Sequence, residues 1–432
     1  MPAKRLCFSL QTCFLVLAIS SATGWAAEVE PKKELSPADT EFIAINNEFY
    51  ERLDAFWTKL REYTDRDAAI EFDQQHDPGR VYLPKLLEFE KQHTGTDAGL
   101  NALADVASYA ARSGDPDTYR FTARREALQR MKPYEDRVLS IMFVEQLTSG
   151  AYDPQVLDYL RRLGESPTAN STLRAAARLE YAGKVLSLRA SSRQSATRLQ
   201  DFAAGMSTDY PDQIEDFRAY VKQLPPAADL DARAGEAIAM LEELASSGNS
   251  FQLPAFRVVD PEGRLIRVDA EKENKNPPLS TKAAALLFQE RYLRTGQMAP
   301  NIKLELIDGG NWKLADQRGR VVVIQFSFTG CGPCAAMYPD MVEMKAALGD
   351  ELSLLTIMRD ETPEHALAAK QDGKITWDVG CDGIPGDICT AWAVDSFPTI
   401  YVIEQEGKIA AVNLRGKQLR WKVEQLLAAD GN

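Results

Sequence analysis

Two cysteines, Cys331 and Cys334, stand two residues apart in the stretch "FSFTGCGPCAAMYP", with Gly332 and Pro333 between them. The apolar run "VVVIQF" directly precedes this stretch, which predicts a buried strand leading into a helix that carries the pair. Two thiols at this spacing can form a disulfide, bind a metal ion or exchange electrons with another thiol pair. The element on which each sulfur lies decides which of these chemistries is favoured.

The junction between strand and helix favours a reactive thiolate at Cys331. Free backbone N–H groups and the positive end of the helix dipole stabilise negative charge there, so the pKa of this thiol should fall. Because the thiolate is the species that attacks a disulfide, Cys331 is the predicted nucleophile. Cys334 lies one turn further along and is placed to attack the resulting mixed disulfide. Pro333 suits the first helical turn, where an N–H group has no helical partner to lose.

Further motifs around the pair resemble thioredoxin. These are "CGPC" after a strand, Pro339 five residues beyond Cys334, and "SFPT" before a later strand. The run "APNIKLELIDGGNWKLADQRGRVVVIQF" is similar to the entry hairpin and first core strand of the exported TlpA/ResA branch of thiol-disulfide oxidoreductases. The resemblance spans roughly residues 297–427, and in combination the motifs are specific.

The resemblance implies a thioredoxin fold and dithiol/disulfide exchange on protein substrates. Cys331 would be the attacking cysteine and Cys334 the resolving one. Pro398 matches the family's cis-proline, which lies against the cysteine pair, and the backbone of Phe397 would then pair with an extended substrate segment. A cis X-Pro bond is uncommon, so this is a specific structural expectation.

Three positions depart from the family pattern. Gly330 replaces the aromatic residue that usually precedes the first cysteine. Gln325 stands where thioredoxin has a buried aspartate, and Met337 stands where the exported branch often has a glutamate. With both acids missing, the residues identify no proton acceptor for Cys334.

The Gly-Pro dipeptide between the cysteines is that of thioredoxin, whose pair sits near about −270 mV and favours the reduction of other disulfides. The chain carries no flavin or nicotinamide fingerprint, so no cofactor is expected. Reducing equivalents would therefore come from a membrane or exported electron-donor protein. Without such a donor the same pair would serve as an oxidant or isomerase.

Cys381 and Cys389 lie in "VGCDGIPGDICTAW", a glycine-rich loop followed by a short predicted helix. A structural disulfide between them is the favoured interpretation, and closing this short loop would contribute roughly 2 to 3 kcal/mol in the chain-entropy model. Free thiols and a resolving or relay role are the alternatives. Zinc is disfavoured, because the spacing of Cys381 and Cys389 fits no common ligand pattern, so no metal site is predicted.

The N-terminus predicts export. Lys4 and Arg5 precede a short apolar run that ends in small residues at Ala26 and Ala27, which is typical of a secretory signal peptide over residues 1–27. The protein is then periplasmic or in the cell envelope, and it contacts the membrane only if this segment stays uncleaved. The net charge of −13 argues against nucleic-acid binding, which needs clustered basic residues.

The chain after the predicted signal peptide divides into three segments that differ in their sequence patterns. Residues 36–250 read as amphipathic helices, and the likeness between "YLPKLLEF" and "YDPQVLDY" favours a helical array, either tetratricopeptide-like or an irregular α-solenoid. Residues 251–296 predict a hairpin around "PEG", a charged linker and a connecting helix. Residues 297–432 alternate strands and helices, which predicts a mixed sheet with helices on both faces. The predicted fold class is therefore α + α/β.

Two other functions stay open from the sequence. An exported helical-repeat adaptor would use the thioredoxin-like unit as a binding module, although the intact cysteine pair argues against a purely structural role. A thiol peroxidase of the peroxiredoxin class would carry a threonine three residues before its cysteine and a proline four residues before that threonine. Phe328 and Ile324 occupy these positions, which disfavours a peroxidase.

Overall fold

In the computed structural model of the protein, the described residues are 35–110, 119–135, 144, 147–148, 152–206, 211–251, 258–259, 265–266, 277–384, 386–394 and 396–429. The predicted signal peptide and most of the predicted linker lie outside these ranges. Among the helices that are described, none combines the length and the apolar character that a membrane crossing requires.

The N-terminal part of the chain is helical, as predicted. Its helices are α1 (Pro37–Leu60), α2 (Arg66–His76), α3 (Gly79–Gln92), α4 (Asp97–Ala110), α5 (Tyr119–Arg130), α6 (Pro154–Glu165), α7 (Ser171–Met206), α8 (Pro211–Gln223) and α9 (Ala227–Ser246). In α1 the apolar residues recur every three or four positions and bury one face, from Phe42 to Phe56. The side chain of Ser36 caps this helix by accepting from the N–H of Asp39, while the Asp39 carboxylate accepts from the N–H of Ser36. The proposed repeat stays a prediction.

In chain order, a two-stranded ribbon and one more helix come after the N-terminal helices and before the sheet. Strands β1 (Val258–Val259) and β2 (Leu265–Ile266) pair antiparallel, in agreement with the expected hairpin. Helix α10 (Leu279–Tyr292) follows and leads into the sheet.

The C-terminal region holds a five-stranded mixed sheet in the order β7-β6-β5-β8-β9, preceded by a separate β3-β4 hairpin. Strand β5 lies at the centre, parallel to β6 and antiparallel to β8. The strands and helices are β3 (Lys303–Glu305), β4 (Asn311–Lys313), β5 (Val321–Ser327), α11 (Gly332–Ala335), α12 (Tyr338–Leu348), β6 (Leu352–Met358), α13 (Glu364–Gln371), β7 (Asp378–Cys381), α14 (Asp387–Ala391), β8 (Thr399–Ile403), β9 (Ile409–Val412) and α15 (Gly416–Ala429).

Successive residues of β5 pack into opposite cores, because side chains alternate across a sheet. Val321 and Val323 join one apolar cluster with residues of α12 and α15. Ile324 and Phe326 join the other cluster, which includes Trp392 after α14. Helices thus cover both faces, and the predicted mixed sheet flanked by helices is confirmed.

Strand β7 begins later than its local sequence indicates. The stretch "KITWDV", with its β-branched and aromatic residues, favours a strand from Lys374, whereas β7 starts at Asp378, where it pairs with Leu355 of β6. Trp377, just before β7, is buried in the apolar cluster that contains Val321 and Val323. A strand start is fixed by where the neighbouring strand offers hydrogen bonds, and local β-propensity does not contain that information.

The chain forms two compact units, residues 1–177 with 256–268, and residues 178–255 with 269–432. The second unit therefore contains helical residues that the sequence pattern grouped with the N-terminal helices. The predicted domain boundaries at 250 and 297 stay predictions about independent folding.

Candidate active site

Cys331 and Cys334 form a disulfide at the start of α11, with their Cα atoms 5.3 Å apart. Strand β5 ends at Ser327, and a short loop brings the chain to Cys331, which is the N-cap residue of the helix. The Sγ atom of Cys331 accepts a hydrogen bond from the backbone N–H of Cys334 at 3.3 Å. A sulfur in this position receives the N–H groups and the positive dipole end that stabilise a thiolate.

The two sulfurs differ in their access to solvent. Cys331 is 6 % exposed, whereas Cys334 is completely buried. Of the two cysteines, only Cys331 therefore has any surface that solvent can reach.

The loop before the pair needs glycine at one position. Gly330 has a φ of +84°, in the left-handed region that side chains with a Cβ atom rarely adopt. A Cβ atom would meet nothing within 4 Å, so backbone conformation and not crowding selects glycine here. An aromatic residue, as in the family pattern, would be strained in this conformation.

A carboxylate that the sequence analysis missed holds the same loop. Asp360, in the segment after β6, accepts from the backbone N–H of Thr329 at 3.0 Å and from its hydroxyl, also at 3.0 Å. The N–H of Arg359 donates to the carbonyl of Ser327 at 2.9 Å and joins the same two segments. Neighbouring parallel strands end at the same edge of a sheet. An acidic residue shortly after the second buried strand could therefore have been predicted to lie near the cysteine loop.

The Phe397–Pro398 peptide bond is cis, the isomer that the resemblance implies. The next residue, Thr399, pairs with Phe326 near the end of β5, so this segment starts beside the strand that leads to the cysteines. The ring of Phe397 meets that of Phe328 edge to face, with centroids 5.3 Å apart. Tertiary structure thus brings the Phe397–Pro398 segment against the loop that carries the cysteine pair.

The backbone around Pro398 is fixed from the far side by Arg415. The guanidinium donates to the carbonyl of Pro398 at 3.1 Å, and burial lowers the pKa of Arg415. Asn413 supports the neighbouring strand start by accepting from the N–H of Ile400 at 3.1 Å. These contacts determine the position of the carbonyl and N–H groups beside the site.

A chain of neutral polar side chains runs beneath Cys334. The indole N–H of Trp377 donates to the hydroxyl of Thr356 at 2.9 Å, and that hydroxyl donates to Gln325 Oε1 at 3.2 Å. The amide of Gln325 then donates to the carbonyl of Cys334 at 3.5 Å and faces Met337 Sδ at 3.9 Å. Gln325 and Thr356 are fully buried. The Gln325 amide supports the helix start but supplies no proton acceptor.

The predicted disulfide between Cys381 and Cys389 is not formed, and both are free cysteines. Cys381 ends β7 and donates from Sγ to the carbonyl of Asp360 at 3.2 Å. Cys389 lies in α14 and is buried in the apolar cluster with Phe326. Burial, and next the neighbouring Asp382 carboxylate, raise the pKa of Cys389 far above that of an ordinary thiol.

Among the residues that the structure describes, no group of three or more histidine, cysteine, aspartate or glutamate side chains could hold a metal ion.

The strand order, the helices on both faces and the cysteine pair at the helix start define the C-terminal region as a thioredoxin-like domain. Residues 295–412 match the AhpC/TSA family. The chain is also 28% identical over 145 residues to "Thioredoxin-like protein YneN" of Bacillus subtilis, a match that covers 32% of this chain and 81% of that protein. "Thiol-disulfide oxidoreductase ResA" of Bacillus thuringiensis is 25% identical over 140 residues, covering 32% and 80%.

Solved structures of similar proteins are known as well. The thioredoxin domain of a thiol-disulfide oxidoreductase from Bacteroides vulgatus is 28% identical, covers 30% of this chain and 96% of that chain, and has a TM-score of 0.28. A thiol:disulfide interchange protein from Bacteroides sp. is 27% identical, covers 31% and 90%, and has a TM-score of 0.29.

Proposed function

We propose that the protein is an exported thiol-disulfide oxidoreductase that acts on other proteins through Cys331 and Cys334. The single observation that carries this proposal is the position of Cys331, slightly exposed at a helix start, directly above a fully buried Cys334. The named activity of the ResA relatives is consistent with this chemistry.

In the reducing direction, the Cys331 thiolate attacks one sulfur of a client disulfide. A mixed disulfide forms between Cys331 and the client, and the client's other sulfur leaves as a thiolate. Cys334 then gives up its proton to solvent and attacks Cys331 Sγ, which breaks the mixed disulfide and releases the second client thiolate. The client has gained two electrons, and the pair has become the disulfide present in the structure.

The Phe397–Pro398 segment is the proposed binding site for an extended stretch of the client. Backbone pairing with Phe397 would hold a client cysteine beside Cys331 without regard to the neighbouring client side chains. The edge-to-face contact with Phe328 and the hydrogen bond from Arg415 to Pro398 keep this segment in place. Such preorganisation lowers the cost of binding a flexible substrate.

Export and the electron donor rest on the sequence. The signal-like segment 1–27 supports a location in the periplasm or cell envelope, where an oxidised pair would have to be reduced again. A membrane or exported dithiol protein is the proposed donor, and client disulfides or dithiols are the proposed substrates.

An insulin-disulfide reduction assay with dithiothreitol as the reductant tests the activity. Wild type should accelerate the turbidity that reduced insulin produces, and Cys331→Ser should abolish the acceleration because no attacking thiolate is left. Cys381→Ser is the matched control, since it removes a free cysteine outside the pair and should retain the wild-type rate. Equal rates for wild type and Cys331→Ser would refute the proposal and favour the adaptor function.

The family match keeps a thiol peroxidase as the second candidate. The positions that would carry the peroxidase threonine and proline hold Phe328 and the fully buried Ile324, and neither side chain can hydrogen-bond a peroxide. Consumption of hydrogen peroxide by the reduced protein separates the two activities. We expect no more turnover than a simple dithiol gives.

A trapping experiment identifies the clients. Cys334→Ala should stop the reaction at the mixed disulfide, so proteins from the native cell envelope stay attached to Cys331. Reducing and non-reducing gels followed by mass spectrometry then name them. The double variant Cys331→Ser, Cys334→Ala is the control for non-specific capture.

A further inference from the structure

The second compact unit contains a cleft of about 340 Å³ that plays no part in the proposed disulfide exchange. Its walls come from α7, the end of α10, strand β9 and helix α15. Strand β9 is the edge strand of the sheet, separated from β5 by β8, so the cleft lies at a different part of the domain from the strand that leads to the cysteines. Cavities of this size are typical of sites for small molecules.

The cleft is basic in an acidic protein. Arg189, Arg193, Arg294 and Lys422 line it, and among the lining residues that the structure describes the only carboxylate is that of Glu290. The chain as a whole has a net charge of −13. Asp231, which is not part of the lining, pairs with Arg189 at 2.6 Å and with Arg193 at 2.7 Å. Four basic groups therefore face two carboxylates, and positive charge still exceeds negative charge here. Such a local excess attracts anions.

The arginines are held in place before any ligand arrives. Arg189 contacts Glu290 Oε1 at 2.9 Å, and Arg294 donates from Nε to Glu290 Oε2 at 2.8 Å. Arg294 also donates to the carbonyl of Leu186 at 3.2 Å. Side chains fixed in this way lose little conformational entropy when they bind a ligand.

The rest of the lining carries no charge and includes apolar residues beside the polar Gln194, Thr197, Thr295 and Gln418. Leu186, Val412 and Leu414 contribute aliphatic surface, and the small side chain of Ala411 on β9 widens the space. The indole of Trp421 closes one side, with the ammonium of Lys422 6.0 Å from its ring centroid. A ligand must therefore combine a charged group with an apolar body.

We propose that this cleft binds a small organic anion, in which one carboxylate or similar acidic group is joined to an apolar chain or ring. The basic side chains receive the acidic group, and the aliphatic and indole surfaces cover the remainder. The site is independent of the cysteine pair and of the proposed activity.

Binding is measured on the full-length protein with the fluorescent anion 8-anilinonaphthalene-1-sulfonate, which becomes bright on transfer to an apolar site. Octanoate should displace the probe, whereas acetate lacks the apolar body and octanol lacks the charge. Each of these two should need at least about tenfold higher concentration. Equal displacement by all three, or no saturable binding of the probe, would overturn the proposal.

Two variants locate the binding. Lys422→Gln should weaken the affinity for octanoate by about threefold to fivefold, while Arg420→Gln, which removes the same charge from the same helix outside the cleft, should leave it unchanged. Ala411→Trp fills the space and should abolish binding with an unaltered insulin-reduction rate and circular dichroism spectrum. If Lys422→Gln and Arg420→Gln behave alike, the anion binds elsewhere and the proposed site is wrong.

Discussion

The surroundings of the described cysteines differ. Cys331 is slightly exposed at a helix start, Cys334 is covered beneath it, and Cys389 lies among apolar side chains beside the Asp382 carboxylate. Burial and a nearby carboxylate disfavour the thiolate of Cys389, whereas a helix start favours a thiolate, so we propose that Cys331 is the more reactive thiol. Sequence spacing alone does not reveal that difference for Cys389.

The raised pKa of Cys389 predicts a pH effect on stability. A thiol whose folded pKa lies above its unfolded value of about 8.5 contributes stability that is present below that value and lost as the pH rises through the folded pKa. Above about pH 9 this group should reduce the free energy of unfolding by about 1.4 kcal/mol per pH unit. Urea unfolding at several pH values should show a correspondingly smaller alkaline decline in Cys389→Ala. If stability falls as steeply at alkaline pH in Cys389→Ala as in wild type, Cys389 does not have the raised pKa assigned to it.

Asp360 is predicted to position the cysteine loop. Asp360→Ala removes the acceptor for the Thr329 N–H and hydroxyl, so the loop that carries Cys331 should lose its fixed geometry. We expect a fall of about tenfold in kcat/KM for insulin reduction, since small displacements of reacting groups are costly.

Asp360→Asn keeps one acceptor oxygen and should recover part of the rate. Asp350→Ala, an exposed acid in the turn after α12, is the matched control and should leave the rate unchanged. Wild-type kinetics in Asp360→Ala would remove this residue from the site.

At the scale of elements, a buried polar chain connects strands β5 and β6 with the residue before β7. Trp377, Thr356 and Gln325 satisfy one another inside the core and end at the carbonyl of Cys334. Polar groups are stable inside a core only when each has a hydrogen-bond partner, because an unpaired donor or acceptor keeps its full desolvation penalty. This series of hydrogen bonds therefore connects the start of α11 to the packed strands of the sheet.

A double-mutant cycle tests that chain. Gln325→Leu and Thr356→Val should each reduce the free energy of unfolding by about 1 to 3 kcal/mol, since each leaves a buried partner unsatisfied. The double variant should cost less than the sum of the two, by about 0.5 kcal/mol or more. Urea denaturation at neutral pH measures all four proteins. Additive effects would mean that the hydrogen bond between Thr356 and Gln325 contributes nothing.

At the scale of the whole molecule, residues before the predicted boundary at 297 contribute to the apolar core of the sheet. Leu293, just after α10, is 2 % exposed and belongs to the cluster that includes Ile324, and Phe288 packs against that cluster. The N–H of Gly296 also donates to the carbonyl of Ile409 at 2.7 Å. A domain cut at the predicted boundary of 297 would lose these contacts.

Fragments measure that contribution. A fragment of residues 277–432 should unfold at a higher urea concentration than one of residues 297–432, with a difference of about 3 to 5 kcal/mol from the lost burial of Leu293 and Phe288. Leu293→Ala in the longer fragment should account for about 2 to 5 kcal/mol of it. Equal stability of the two fragments would support the sequence-derived boundary at 297 instead.

The sequence by itself determined the features that depend on neighbours along the chain. The apolar run of β5, the helix start at Cys331 and the dipeptide between the cysteines are local patterns, and the amphipathic helices of the N-terminal part follow from periodicity. Resemblance to a family added the cis bond before Pro398, which no local pattern specifies.

Only the tertiary structure decided the features that depend on residues far apart in sequence. Asp360 meets Thr329 because parallel strands end at one edge of the sheet, and Gln325 meets Thr356 because β5 and β6 pair in register. Cys381 and Cys389 are free cysteines with different surroundings, a backbone carbonyl for one and an apolar core for the other. Such contacts arise from the pairing of whole strands and helices, whose long-range geometry short stretches of sequence do not contain.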